Sequence, residues 1–401
     1  MRNAAAVRRR CELVYRFVAD GASPHFTLAP ARIDAIADIV AATTRENYPD
    51  LRIPLHSRWR HFMAGGSNRW SRLVQQRDGA TTREQARRAI DLVTISVLLD
   101  AGAGGSWRYR EVNTGNVYAR SEGLAIASFD MFADGLFSAH PTQPWRSDAA
   151  RLQELDEATL AHRFQVSSDN PLVGLGERVK VLNRLGSALL ARPDLFGAEA
   201  ARPGNIVDYF IDAAPNGEML ASEILATLLD GLSSIWPSGL VVDGLALGDV
   251  GRHPAITTHD RSDGLVPFHK LSQWLAYSLV EPIEAAGLRV VELDHLTGLA
   301  EYRNGGLFLD HGAIVPRASL DADAPHPVSG ELVVEWRALT IALIDRLLNP
   351  VRQRLGLEAA DFPLAKMLQG GTWVAGRNIA IQLRPPAGPP PLVVAADGTV
   401  F

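Results

Sequence analysis

Cysteine and lysine are nearly missing from this chain of 401 residues. Cys11 stands alone, which excludes a disulfide framework and a cysteine-rich zinc site. Lysine supplies only three of the 40 basic residues, at positions 180, 270 and 366. No apolar run of about 18 residues exists, so no segment reads as a transmembrane helix. The formal net charge of −5 lacks the basic excess of a protein built to coat nucleic acid. The start, Met1-Arg2-Asn3 and then Ala4–Val7, meets Arg8-Arg9-Arg10 without the apolar stretch of a secretory signal. A cytoplasmic protein is the expectation, with a small molecule as partner and neither nucleic acid nor membrane. The sequence carries no sign of oligomeric state. No His-x-His or His-Glu-x-x-His motif occurs, so neither metal nor other cofactor is expected. A βαβ alternation with a phosphate loop is also missing, and so is any repeat at a period of roughly 20–50 residues.

What is present is a helical text. Val7, Cys11, Val14 and Val18 recur every three or four residues and predict a helix over 4–19. Pro30 starts a second helix. Thr81 or Thr82 with Glu84 caps a third, which runs to Gly102-Ala103-Gly104-Gly105. Helices are predicted at 121–135, 149–165, 176–191, 218–233, 268–286 and 330–355. Gly306–Val315 and Thr372–Leu383 read as short β-prone stretches, and Pro385–Pro391 as an extended connector. The fold class is mainly α, with short strands near the C-terminus. Asn170–Arg178 has the hydrophobic-Gly-hydrophobic-Gly pattern of a helix-hairpin-helix turn, or of a plain joint between helices.

Five clusters place polar groups in apolar surroundings. Residues 55–62 hold His56, Arg58, Trp59, Arg60, His61 and Phe62, which suits an anionic or planar ligand; the bland alternative is an amphipathic turn. Residues 100–111 form a glycine-rich loop with Asp100, Trp107, Tyr109 and Glu111. Arg120-Ser121-Glu122-Gly123 opens a helix, and helix capping explains it without chemistry. Residues 266–278 begin at Pro267 and put His269 and Lys270 in a first helical turn. A cation there opposes the helix dipole unless an anionic group faces it. Residues 294–310 string together Asp294, His295, Glu301, Tyr302, Arg303, Asn304 and Asp310. A carboxylate beside apolar residues can be desolvated into an acid or base, or can stabilise a developing cation. The bland alternative is an ion pair of Arg303 with Glu301 or Asp294.

These blocks carry a resemblance. His56–His61, Leu99–Ala103, Arg120–Gly123, Val266–Trp274, Glu301–Gly306, Gly370-Gly371-Thr372-Trp373 and the terminal Asp397–Phe401 resemble the uracil-catabolism protein four family over nearly the whole chain. That family is tied to opening of the uracil ring through a ribosylurea species and to release of urea. Residues 80–310 also resemble the queuosine-salvage N-ribosyl hydrolases, through Phe268–Gln273 and Leu296–Arg303. Those enzymes carry Asp-Tyr-Arg where this chain has Glu301-Tyr302-Arg303. The second resemblance implies a helical core like that of helix-hairpin-helix DNA glycosylases. The salvage enzymes carry a further aspartate near the positions of Tyr277 and Ser278, and this chain has no carboxylate there. A paired-carboxylate mechanism is therefore not implied intact.

Together the resemblances imply hydrolysis of the N-glycosidic bond of ribosylurea or its 5-phosphate. Glu301 is the expected stabiliser or base. Asp294, Asp100, Glu111 or a protonated His269 are the expected proton donors. Lys270, Arg303 and Arg58 are expected at a phosphate, and Trp107 or Tyr302 against the sugar or urea. A ureide C–N hydrolase and a non-catalytic scaffold protein are the alternatives; DNA glycosylase action is disfavoured by the charge. The organisation expected is one large domain, divisible into a helical cap at 1–80, a glycosylase-like core at 81–310, and a C-terminal helix with short strands at 311–401.

Overall fold

The computed structural model describes residues 1–75, 79–236, 240–317, 321 and 323–395. The terminal block Asp397–Phe401 lies outside the described residues. The protein is mainly α. Its strands, among the described residues, form only two-stranded pairs. The chain divides into two compact units, each built from separated segments. The first holds the described residues of Met1–His56, Asp249–Gln273 and Glu292–Ala396; the second those of Ser57–Gly248 and Trp274–Val291. These boundaries do not coincide with the divisions at 80 and 310, because each unit is assembled from distant parts of the chain.

In the first unit the helix Ala4–Ala19 is capped by Asn3, whose side chain accepts the Ala6 amide at 2.8 Å. Its face of Val7, Cys11 and Val14 packs with Val266, Phe268, Val334, Ala338 and Ile341 in one buried cluster. The long helix Glu331–Leu355 supplies the last three and ends on Gly356, whose φ of 71° suits glycine. Two antiparallel pairs brace this unit: Phe26–Leu28 with Ile314–Pro316, and Val250–Arg252 with Leu265–Pro267.

Two expectations for this unit are corrected. Residues 306–310 belong to the helix Tyr302–Asp310, and only Ile314–Pro316 is strand. Trp373–Leu383 is a helix as well. The two helices pack so closely at Gly376 that a Cβ there would lie 2.2 Å from the Arg303 carbonyl oxygen. Tertiary packing overrides the local β preference of both stretches.

In the second unit Thr82–Leu98 starts at Thr81, which accepts the Glu84 amide at 3.2 Å, as its capping pattern predicts. The expected helix over 149–165 is two, Ala149–Gln153 and Glu157–Arg163, the latter capped by Asp156. Gly174, with φ of 70°, turns the chain into the helix Leu175–Ala191. Glu218–Leu220 forms a strand parallel to Arg289–Val291 before the helix Ala221–Leu232 begins. The chain passes from the first unit to the second within the helix Lys270–Ala285.

Candidate functional site

In the first unit the expected residues gather around two helix starts. Glu301 is the N-cap of Tyr302–Asp310. Its two carboxylate oxygens accept the amides of Arg303 at 2.7 Å and Asn304 at 2.5 Å. The side chain is buried, at 9% exposure. Burial raises its pKa above the ordinary carboxylate value; the two amides and the charges of Lys270 and Arg303 offset this only in part. Lys270 is the first residue of its helix, and its charge reaches Glu301. The sequence called for an anionic group near this cation. Glu301 is one.

A second such group is Asp249, which sequence reasoning missed. It accepts the Lys270 amide at 3.0 Å and takes a two-pronged bond from Arg337 at 2.9 and 2.7 Å. Burial alone would raise the Asp249 carboxyl, but Arg337 and the amide hold it below its usual value. Asp249 therefore neutralises the helix start that carries Lys270. Gln273, one turn on, bonds the amide and hydroxyl of Thr297, which ties this helix to the stretch leading into Glu301.

His269 is fully buried and sits at a left-handed φ of 50°, unusual for a residue with a side chain. Its Nε2 donates to the Met1 carbonyl at 3.1 Å. Burial pushes its pKa down to about 4. The expectation of a protonated His269 as proton donor is thereby corrected: the ring is neutral near pH 7. Asp294 is corrected too. It binds Arg352 at 2.5 Å and the Leu364 amide at 2.7 Å, so both oxygens hold the chain together. Arg303 donates to the Gly388 carbonyl at 2.7 Å and lies 4.9 Å from the Tyr302 ring centroid. Its guanidinium is buried in this role, not presented to a phosphate.

In the second unit Arg58 is fully buried. It pairs with Asp100 at 2.8 Å and donates to the hydroxyls of Ser96 at 2.8 Å and Ser121 at 2.9 Å. Ser121 in turn donates to Asp100 at 2.6 Å. Arg58 is thus an internal strut, which corrects its expected place on a phosphate. The glycine-rich loop that carries Asp100 is held by another residue the sequence did not single out. Arg178 donates to the carbonyls of Leu99 at 3.1 Å and Ala101 at 2.6 Å. Burial lowers its pKa to about 10, so it stays charged. Trp107 is core rather than a sugar platform: it is fully buried and its Nε1 bonds the Phe164 carbonyl at 3.0 Å. Glu111 is clamped by Arg69 at 2.6 and 2.8 Å. Burial would raise Glu111, yet Arg69 and the Thr114 hydroxyl hold it below the ordinary carboxylate value.

Among the described residues, one group offers a metal-like donor set. His253, Glu331 and Glu335 bring ligand atoms within 4.8 Å of one another. Nδ1 of His253 accepts the Ala255 amide at 3.1 Å, so Nε2 carries the proton and donates to Glu335 at 3.0 Å. A metal ligand needs a lone pair at that nitrogen. Glu335 also accepts the Ser23 hydroxyl at 2.5 Å. The group fits a buried structural tie and not a metal site.

The family model described as "Protein of unknown function (DUF1688)" matches residues 1–401. "Uracil catabolism protein 4" of Lachancea kluyveri is 36% identical over 430 residues, covering 99% of this chain and 97% of that protein. The chain belongs to this family. "Protein urg3" of Schizosaccharomyces pombe (strain 972 / ATCC 24843) is also 36% identical, over 405 residues, with 98% of this chain and 96% of that protein covered. The family match thus takes in both units, including the Glu301–Lys270 group and the Arg58–Asp100 strut.

Proposed function

We propose that this protein acts in uracil catabolism as an N-ribosyl hydrolase, cleaving the N-glycosidic bond of ribosylurea or its 5-phosphate to give urea and a ribose or ribose phosphate. The name of the Lachancea kluyveri relative supports the pathway. The observation that carries the reaction is Glu301, a buried carboxylate of raised pKa, aimed by two backbone amides and close to the charge of Lys270. Cleavage moves the C1′–N bond pair onto the urea nitrogen and leaves positive charge on the sugar. A fixed carboxylate lowers the energy of that charge. Water then bonds to C1′ and loses a proton, for which a carboxylate of raised pKa is the better base. The leaving nitrogen takes up a proton in the same reaction. Lys270, whose charge reaches Glu301, serves the anionic end of the substrate or this proton delivery.

The decisive assay incubates pure protein with ribosylurea and with its 5-phosphate, and follows urea and reducing sugar. Release of both by wild type, and of neither by Glu301→Gln, is the expected result. Turnover by the variant at the wild-type rate sinks the assignment. Tight binding by wild type without turnover favours a scaffold, and ammonia appearing before sugar favours ureide hydrolysis.

A further inference from the structure

The second unit contains a cavity of about 610 Å³ that the proposed reaction does not use. Its wall is drawn from Arg69, Tyr109, Glu111, Asp130, Asp134 and Arg163, among others. Most of the polar groups there are already committed. Arg69 holds Glu111 with Nε and Nη2, and spends Nη1 on the carbonyls of Phe62, Ala64 and Ser67. Arg163 binds Asp134 at 2.5 Å. Gln165, also in the wall, bonds the Arg110 amide at 3.0 Å and its carbonyl at 2.8 Å. Arg72 donates to the Ser67 hydroxyl.

Asp130 is the exception. It lies on the helix Arg120–Ala133 and accepts the Tyr109 hydroxyl through Oδ2 at 2.8 Å. Its Oδ1 has no hydrogen bond among the described residues, and no arginine or lysine pairs with it. Partly buried carboxylates ordinarily have a cation or several donors. Here each neighbouring guanidinium already has a partner of its own. Burial raises Asp130 to about 6. The Tyr109 hydroxyl and Arg69 pull the other way, while Glu111 and Asp134 add to the rise. His162, on the helix Glu157–Arg163, is a further titratable group in the wall.

We propose that this cavity is a second ligand site, which seats a small organic cation, an ammonium or guanidinium head, on the carboxylate of Asp130. The cavity has the size of a small-molecule pocket. The head group supplies the N–H donors and positive charge that Oδ1 lacks, and an ionised carboxylate holds such donors more firmly than a neutral acceptor does. Because the bond needs ionised Asp130, affinity climbs as pH rises through the region near 6.

Agmatine and ethylammonium, titrated into the full-length protein by calorimetry, test the site, with ribose 5-phosphate and urea as comparisons. Agmatine binding that weakens by roughly tenfold between neutral pH and about pH 5 is expected, since only about a tenth of a group with that pKa is ionised there. Asp130→Asn should cost about tenfold or more at neutral pH and flatten the pH dependence. Tyr109→Phe removes the donor to Oδ2 and should move the pH midpoint upward. No binding of either cation at millimolar concentration overturns the proposal. So does binding that both variants leave unchanged. Urea release is no part of the readout, so the outcome is independent of the reaction assigned to Glu301.

Discussion

Glu301 in the first unit and Glu111 in the second are both buried glutamates, exposed by 9% and 2%. Both use both oxygens. Glu301 receives two backbone amides, while Glu111 receives the fork of Arg69 and the Thr114 hydroxyl. Their pKa values move in opposite directions, Glu301 up and Glu111 down. An amide aims a carboxylate but brings no net charge, so the cost of burial persists. A guanidinium at hydrogen-bond distance cancels that cost and ends the carboxylate's usefulness as a base. The type of donor thus helps to separate the group fit for chemistry from the group fit for support.

Four experiments strain this contrast. The largest effect is expected from Glu301→Gln, with a loss of roughly 10²–10⁴-fold in urea release, the range for removing a general base or an electrostatic stabiliser. Gln keeps one of the two acceptors of the helix cap and sheds the buried charge, so its melting temperature should stay within about 4 °C of wild type; a large drop would mean that the charge is structural. Next comes Arg69→Met, which strands the Glu111 carboxylate in the interior. A loss of about 3–5 kcal/mol in denaturant unfolding is expected, and a neutral result would break the comparison.

The third is the pH dependence of stability, and the two glutamates contribute with opposite sign. Glu111 is depressed in the folded state, so its contribution is present above the unfolded pKa and lost as pH falls through the folded one. Glu301 is raised, so its contribution is present at low pH and lost as pH rises through its folded pKa. Unfolding of Glu301→Gln against pH should therefore show a gain over wild type that appears only on the alkaline side of that transition. The smallest effect is expected from Asp294→Asn, which keeps one of the two acceptors used by Arg352 and the Leu364 amide and loses the other: a stability loss of about 1–2 kcal/mol, with catalysis preserved.

Where one face of one element carried the signal, the fold was legible. The 3–4 spacing of Val7, Cys11, Val14 and Val18 marks the first helix, and Thr81 with Glu84 marks another start. Lys270 was legible as a cation in need of an anion, because the helix dipole makes its position costly. Asp249, which answers it, was not. Its partners Lys270 and Arg337 lie 21 and 88 residues away, and a lone aspartate between glycine and valine has no local pattern. Trp107 and Arg58 look like ligand contacts in sequence because aromatic and guanidinium groups serve cores and sites alike; burial alone separates the uses. The stretches around 306–310 and 373–383 misled through composition, since the close approach at Gly376 that holds them as helices is a fact of tertiary packing.

Cys11 lies wholly inside the first unit's apolar cluster, where burial pushes its thiol well above the ordinary range. Reagents that seek thiolates should pass the folded chain by. The molecule is consequently a ready background for site-directed labels. A cysteine introduced at an exposed position of either unit would be the one that reacts, so fluorophores or spin labels can be placed without first removing a native thiol.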